Sequence, residues 1–499
     1  MALAVGAYRR PVEPALEPVN SNEDGENGHD RVKRKKLPGA RPGAADGGRC
    51  RDGLGPRRLH GRNLPALDRG STRETVGLHI ELQLGRSRGR ISEGGAGTLT
   101  HRSDRMKRRV AFVVQRCGLE VNGGAELHCR LIAERLAARL DVEILTTCAL
   151  DYMTWANHYP PGEQRLGELR IRRFPVANPR DVPSFNRLSE DFRGRMGQLT
   201  TREEEAWMRA QGPWTPTLFE YLADATDKYD AFIFFTYLYA TTYFGLPLVG
   251  KKALLVPTAH DEWPIHFGMW DRFFELPSAF VFNTDEELAF LRRRFPRARL
   301  PGPVVGVAVE PPASVDAETF RRAYGVDGPF ILYVGRVDPS KGIDGLLDDF
   351  RAYQASTGDT RTQLVLVGKP VMEFAPRDGV LILGFLSEQQ KWNALAACDV
   401  LVMPSPYESL SMACLEAWSL GKPALVTARS EVLVAQCRRS QGGLWYRDAD
   451  EFSAALEFLL RDPSVARTLG TQGREFVRQN YRWPHILDAY SDLIDAVSP

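Results

Sequence analysis

Short apolar runs alternate with amphipathic stretches along most of this chain, and the runs fall into two sets. Residues 110–115, 142–147, 231–235, 253–257 and 279–283 form the first set; 330–335, 363–368, 380–384, 400–404 and 423–427 form the second. Uninterrupted apolar runs of strand length, separated by helical periodicity, predict parallel strands buried on both faces by crossover helices. The expected fold is α/β, with two doubly wound parallel-sheet units of about 200 residues each, an ordinary domain size. Val309, Glu310, Pro311, Pro312, Ala313 and Ser314 read as the linker. This divides the body into 106–312, 313–482 and a last helix within 483–499, with Pro484 at its second position, where a missing N–H is harmless.

The run 231–250 is uncharged and of bilayer length, but three Thr, three Tyr and a Gly-Leu-Pro break favour a buried strand running into a buried helix. Residues 1–105 lack periodicity and hold 17 Gly and 7 Pro, so they predict a disordered extension without the apolar core of a signal peptide. Met106 is followed at once by Lys107, Arg108 and Arg109 and then by the first strand, so 1–105 also read as an over-extended start. That segment carries 20 Lys+Arg against 13 Asp+Glu; the whole 499-residue chain is only +2, which leaves the body net acidic. An acidic body argues against a nucleic-acid partner. Seven cysteines, an odd number without a C-x-x-C pair, read as reduced thiols of a cytoplasmic chain.

Chemistry-bearing residues gather after the strands. Beyond 400–404 come Tyr407, Glu408, Ser409, Leu410 and Ser411, then Glu416, on a predicted helix that stops near Gly421. On one continuous helix Glu408 and Glu416 would lie about 12 Å apart along the axis and within about 80° around it. Each could hold one end of an extended ligand, with the amides of Ser409, Leu410 and Ser411 facing an anion between them. The plainer reading makes Glu408 a complement to the helix dipole and Glu416 a surface charge; apolar Cys414, Leu415, Ala417 and Trp418 weigh against it. Beyond 330–335, Gly335, Arg336 and Lys341 bring two cations to a strand end, which suits a diphosphate, although alone they would read as a solvated basic loop.

After the first strand, Asn122, Gly123, Gly124, Ala125 and Glu126 form a glycine turn opening a helix, either a tight turn only or a close approach to a ligand. His260 follows the 253–257 strand. It reads as a cleft residue, as a core or capping histidine, or, with Asp261, Glu262 and His266, as a metal set whose spacing matches no common ligand pattern. Asp448, Ala449 and Asp450 have the form of a metal-binding D-x-D, but Glu451 stands at capping spacing from Asp448, which predicts a helix start. Aromatic residues within 207–221 and 263–274 read equally as core or as an acceptor surface.

The motifs G-R-x4-K-G (Gly335, Arg336, Lys341, Gly342) and E-x7-E (Glu408, Glu416), in this order and each after a strand, resemble those of the retaining glycosyltransferases of family 4. This is the "glycosyl transferases group 1" set, and the resemblance covers about 106–498. It implies a GT-B fold, two Rossmann-like domains facing across a cleft, with a final helix crossing back to the first domain. It further implies that Arg336 and Lys341 bind the donor diphosphate and stabilise the leaving nucleotide without a metal or other cofactor. Glu416 would accept hydrogen bonds from the ribose, and Glu408 would contact the transferred sugar beside Ser409, Leu410 and Ser411. Gly384, Phe385 and Leu386 look like the base-contacting turn, Gly123 and Gly124 like the glycine-rich loop, and a His at position 260 would lie near sugar and acceptor. Ser411 stands where many members carry Gly or Pro. The implied activity moves a hexose from a nucleoside-diphosphate sugar to a glycan or lipid-linked acceptor in cell-envelope or exopolysaccharide synthesis. It would take place in the cytoplasm, with a lipid acceptor drawing the protein to the inner membrane face. The alternative is a non-catalytic sugar-nucleotide-binding module on the same fold, disfavoured by the intact set of Arg336, Lys341, Glu408, Glu416 and His260.

Overall fold

The computed structural model describes residues 107–498 apart from 122, 372–374 and 376. The readings of 1–105 as disordered or as an over-extended start lie outside the described residues.

The first sheet contains β1 (Arg109–Val113), β2 (Asp141–Thr147), β3 (Gly162–Leu166), β4 (Leu169–Phe174), β5 (Ala231–Phe235), β6 (Ala253–Val256) and β7 (Ala279–Phe280) in the order β3-β4-β2-β1-β5-β6-β7. Only β3 runs antiparallel, as a hairpin with β4. The second sheet contains β8 (Phe330–Val334), β9 (Gln363–Val367), β10 (Val380–Gly384), β11 (Val400–Met403), β12 (Ala424–Thr427) and β13 (Gly443–Tyr446), all parallel, in the order β10-β9-β8-β11-β12-β13. Apart from β3, both sheets have the doubly wound 3-2-1-4-5-6 order, whose strand sequence reverses beside the first strand. The two reversal points are β1/β5 and β8/β11, and ligands of such sheets bind beyond the strands' carboxyl ends there.

The uninterrupted apolar strands are explained by burial on both faces. In β5, Ala231, Ile233 and Phe235 enter one core cluster and Phe232 and Phe234 another, all with 0 % exposure, as the two-residue side-chain period of a strand dictates. The 231–250 run resolves into β5, a helix Ala240–Gly245 and a 3₁₀ stretch Leu246–Lys252. Among the described residues no helix is long and apolar enough to cross a membrane.

Four strands depart from the sequence expectation. β3 and β4 carry no apolar run, β13 holds only the short run Leu444, Trp445 and Tyr446, and β7 stops at Phe280 because Phe280 N–H and Phe282 N–H turn to the carbonyls of Pro301 and Pro303. Between β4 and β5 an insertion of three helices, Val182–Gly194, Thr201–Gln211 and Pro216–Asp224, forms one wall of the first lobe. The chain ends in Pro463–Asn480, which lies on the second lobe with Gly473 against the Trp418 ring, and Trp483–Val497, which packs on Gly124–Leu136 of the first. Arg139 Nη1 to Asp488 Oδ1 (2.6 Å), Arg108 Nε to Asp495 Oδ1 (2.7 Å) and Arg135 stacked over Trp483 fix that return. The six described cysteines are all buried free thiols.

Candidate active site

Loops from both reversal points converge on a cavity of about 940 Å³. From the first lobe, β1 leads to Arg116 and to Gly123 and Gly124 at the start of the helix Gly124–Leu136. A Cβ on Gly123 would collide with the Glu126 carboxylate, whereas Gly124 has open space around its Cα. Of the two glycines only the first meets a neighbour, the end of the Glu126 side chain. Glu126 is held there by Arg116, whose Nη2 and Nε donate to Oε1 at 2.6 and 3.0 Å.

From the second lobe, β8 ends in Gly335, where a Cβ would lie 2.6 Å from the Tyr333 hydroxyl oxygen. Arg336 follows with Nη1 3.4 Å from Asp338 Oδ2 and its guanidinium 4.4 Å over the Tyr152 ring. Asp338 caps the 3₁₀ turn Pro339–Lys341 by accepting from Ser340 N–H at 2.7 Å. Gly342, at φ +77°, then lets the turn pass Pro404, whose carbonyl oxygen would lie 2.5 Å from a Cβ. This approach brings Lys341 across to the loop after β11: its Nζ donates to Glu408 Oε1 at 2.9 Å and to the Tyr407 carbonyl at 3.3 Å.

The expected single helix carrying Glu408 and Glu416 is corrected here. The helix is Met412–Ser419; Ser411, at φ +67°, stands outside it as the N-cap, its Oγ accepting from Cys414 N–H at 3.4 Å. A left-handed residue cannot continue a right-handed helix, so Glu408, Ser409 and Leu410 belong to the loop. The amides left open at the helix start are those from Met412 onward, not those of Ser409, Leu410 and Ser411. Ser409 instead bonds the first lobe: its carbonyl accepts from Thr284 Oγ1 at 3.1 Å and its Oγ from Asn283 Nδ2 at 3.3 Å.

Glu416 is not a surface charge, nor does it line the cavity with Arg336, Lys341, Glu408 and His260. It is 4 % exposed and accepts a 2.7 Å hydrogen bond from Lys391 Nζ, and burial raises its carboxyl pKa against that cation. Lys391 sits on Glu388–Ala397, the helix that follows Gly384, Phe385 and Leu386. These three make a turn beyond β10 with Gly384 at φ +70°, Phe385 51 % exposed and Leu386 buried. The Glu416–Lys391 ion pair and the turn form a second group of residues, off the main cavity. Lys391 went unnoticed in the sequence because a lone Lys on an amphipathic helix reads as solvated.

His260 lines the cavity with its ring stacked on Tyr407, centroids 5.5 Å apart and planes at 27°. Burial, with Lys341 and Arg336 nearby, pulls its pKa down to about 3, so the imidazole is neutral. Its Nδ1 lies 3.6 Å from Glu262 Oε1. Glu262 accepts from the Tyr237 hydroxyl at 2.9 Å, and burial pushes its carboxyl up to about 7. The loop is held from beneath by Glu287, which accepts from Ala259 N–H (2.6 Å) and Asn283 N–H (2.7 Å). Asp261 and His266 pair with each other at 2.7 Å, away from the cavity. Among the described residues no three His, Cys, Asp or Glu side chains are grouped to hold a metal ion. Asp448 caps the helix Ala449–Arg461 by accepting from Glu451 N–H at 2.9 Å. Of the aromatic residues in question, Trp207 and Trp263 line the cavity, while Trp270 and Phe273 are core.

Arg336 and Lys341, facing the helix start at Met412, can neutralise a diphosphate, and the first-lobe wall leaves room for a second substrate. Residues 316–476, which hold the second sheet, match the family described as glycosyl transferases group 1. The lipopolysaccharide core biosynthesis glycosyltransferase LpsD of Rhizobium meliloti is 29% identical over 217 residues, 40% of this chain and 55% of that protein. The chain spans about half the length of the curated relatives it matches. Among solved structures, sucrose-phosphate synthase of Thermosynechococcus elongatus superposes with TM-score 0.59 at 18% identity, covering 78% of this chain and 99% of that one. HepE of Anabaena, in complex with UDP and glucose, gives 0.55 at 16%, covering 78% and 100%. The two-lobed architecture is the GT-B fold.

Proposed function

We propose that this chain is a glycosyltransferase that moves a hexose from a nucleoside-diphosphate sugar to a glycan or lipid-linked acceptor, with retention at the anomeric carbon. The observation that carries the reading is the meeting of Arg336, Lys341 and Glu408 at the carboxyl ends of β8 and β11, opposite Gly123 and His260 of the other lobe. A match to a glycosyltransferase family over 316–476 and a likeness in fold to a protein that holds UDP and glucose support it.

In this reading 313–482 is the donor domain and 106–312 the acceptor domain. Arg336 and Lys341 bind the diphosphate and stabilise the charge that builds on it as the glycosidic bond breaks, with no metal required. The amides that open the helix Met412–Ser419 add partial positive charge to the same place. Glu408, fixed by Lys341, contacts the transferred sugar beside Ser409, Leu410 and Ser411. Gly384, Phe385 and Leu386 contact the base, and Glu416 reaches the ribose on exchanging its bond to Lys391. His260, held neutral, offers a hydrogen bond to the sugar rather than a charge. The acceptor oxygen bonds to the anomeric carbon on the face from which the phosphate leaves, which gives retention, and that phosphate takes the acceptor proton. Synthesis of an envelope polysaccharide or exopolysaccharide fits this chemistry, as does docking at the inner membrane face for a lipid-linked acceptor.

The test is thermal stabilisation of the full chain by UDP-, GDP- and ADP-hexoses, with and without EDTA. A donor at 100 times its Kd adds about 2.7 kcal/mol of stability. One responding nucleotide, indifferent to EDTA, followed by detection of an α-linked product, is the expected result. Binding without transfer to any acceptor would leave a sugar-nucleotide-binding module, and no binding would refute the reading.

A further inference from the structure

We propose that the first-lobe wall of the cavity contains an oxyanion subsite built on Arg180 and Arg193, so that the acceptor is an anionic molecule bearing a phosphate or a carboxylate. This rests on the transferase reading and narrows its acceptor class.

The charged side chains lining the cavity are Arg116, Glu126, Arg180, Arg193, Glu262, Arg336, Lys341 and Glu408. Arg116 is matched by Glu126 at 2.6 Å, Lys341 by Glu408 at 2.9 Å and Arg336 by Asp338 at 3.4 Å. Among the described residues neither Arg180 nor Arg193 has a carboxylate oxygen within the 4.0 Å of an ion pair. Asp151, the carboxylate whose field reaches Arg180, is engaged by Thr154 N–H and Oγ1, each at 2.7 Å.

Arg180 is nevertheless firmly held. Its guanidinium lies 4.7 Å from the Phe185 ring centre and 5.1 Å from that of Trp155. Nε donates to the Gln211 carbonyl at 3.1 Å, and Nη2 to the same carbonyl and to Gln211 Oε1. Aromatic faces and neutral oxygens orient a guanidinium without neutralising it. Burial accordingly pulls its pKa down to about 10, a cost that a bound anion would relieve. Nη1 makes no hydrogen bond among the described residues, which leaves half of the planar fork for a ligand. A purely structural role, strapping the Gln211 carbonyl, explains Nε and Nη2 but not Nη1. Nor does it explain Arg193, exposed at the end of Val182–Gly194 with its guanidinium 5.2 Å over the Trp263 ring. Two aromatic-backed cations on this wall of the cavity thus have no carboxylate partner among the described residues, and each can offer donors to an oxyanion held there.

The experiment measures binding of glucose, glucuronate and glucose 6-phosphate to the UDP-saturated full chain at constant ionic strength. One anionic sugar or both should bind at least tenfold tighter than glucose, and the tighter of the two identifies carboxylate or phosphate as the recognised group. Arg180→Gln and Arg193→Gln should each reduce that preference at least threefold with UDP affinity unchanged. Should Arg180→Gln fail to fold, the exposed Arg193→Gln carries the comparison. Equal affinity for all three sugars, or a preference that survives substitution, overturns the subsite while UDP binding still supports the transferase reading. A chain that binds no nucleotide overturns both.

Discussion

The Lys341 ammonium lies 2.9 Å from Oε1 of Glu408, and this ion pair joins the loop after β8 to the loop after β11 across the reversal point of the second sheet. Both partners are mostly shielded from water, so each fixes the other's position as well as its charge. If Lys341 stabilises charge that develops on the leaving diphosphate, Lys341→Ala should lower kcat about 10²- to 10³-fold with a smaller change in donor KM. Steady-state kinetics with the donor identified by binding will check this; an unchanged kcat would remove Lys341 from the transition state.

Glu416 and Lys391 form a pair buried on both sides. Lys391 Nζ also lies 2.9 Å from Glu388 Oε2, so Glu416→Ala leaves the ammonium one of its two carboxylates. It should destabilise the fold by about 1–3 kcal/mol, below the about 3–5 kcal/mol of a fully stranded charge, whereas Glu416→Ala with Lys391→Met should recover most of that loss. Urea unfolding of the three chains measures it. If Glu416 also binds the ribose, the double variant should fold yet still show a raised donor KM.

Stability should depend on pH through Glu262. Its carboxyl titrates near 7 in the folded chain, above the ordinary value of 4.5. The folded state therefore holds this proton more tightly than the unfolded state. Its contribution is complete below pH 4.5 and is lost as pH rises through about 7, with a slope of at most about 1.4 kcal/mol per pH unit. Glu262→Gln should flatten the wild-type decline between pH 5 and pH 8 in denaturant titrations. An equal decline in the variant would assign it to other groups.

His260 should behave in the opposite sense. Its folded pKa is depressed to about 3, so its contribution is present above pH 6.5 and is lost as pH falls toward 3. The imidazole should remain neutral at pH 5, which its ring carbon and nitrogen NMR shifts report directly; a protonated ring at pH 5 would contradict the role assigned to it.

Gly342 combines φ +77° with a close approach to Pro404. Gly342→Ala should cost about 1–3 kcal/mol and lower Tm by several degrees. It should also reduce kcat, because the turn that carries Lys341 must move. Wild-type Tm and kinetics in this variant would show that the turn tolerates displacement.

The apolar strands were legible because each is a plain apolar run: β5, buried on both faces, and the half-buried edge strand β10 both match their runs end to end. β4 was not, since Leu169–Phe174 interleaves Leu, Ile and Phe with Arg170, Arg172 and Arg173. Two of these face Asp141 and Glu143 of β2, so a charged ladder replaces the hydrophobic signal. At the site, Arg336, Lys341, Glu408 and His260 could be placed together because each follows a recognisable strand. The break at Ser411 was not visible, for nothing in a Ser-Leu-Ser run announces a left-handed residue. Arg180 was equally silent: it stands in a loop before an insertion helix, and its significance lies in having no carboxylate at ion-pair distance among the described residues.

The return of Trp483–Val497 to the first lobe has a consequence for how the chain is made. The groove on Gly124–Leu136 receives Trp483, Ile486, Leu487, Tyr490 and Ile494, all buried. During synthesis the first lobe therefore emerges with an apolar stripe open to water, and it stays so until the ribosome has translated some 180 further residues. At roughly 5–20 residues per second that is a wait of tens of seconds, in which the half-made protein is exposed to aggregation and to chaperones.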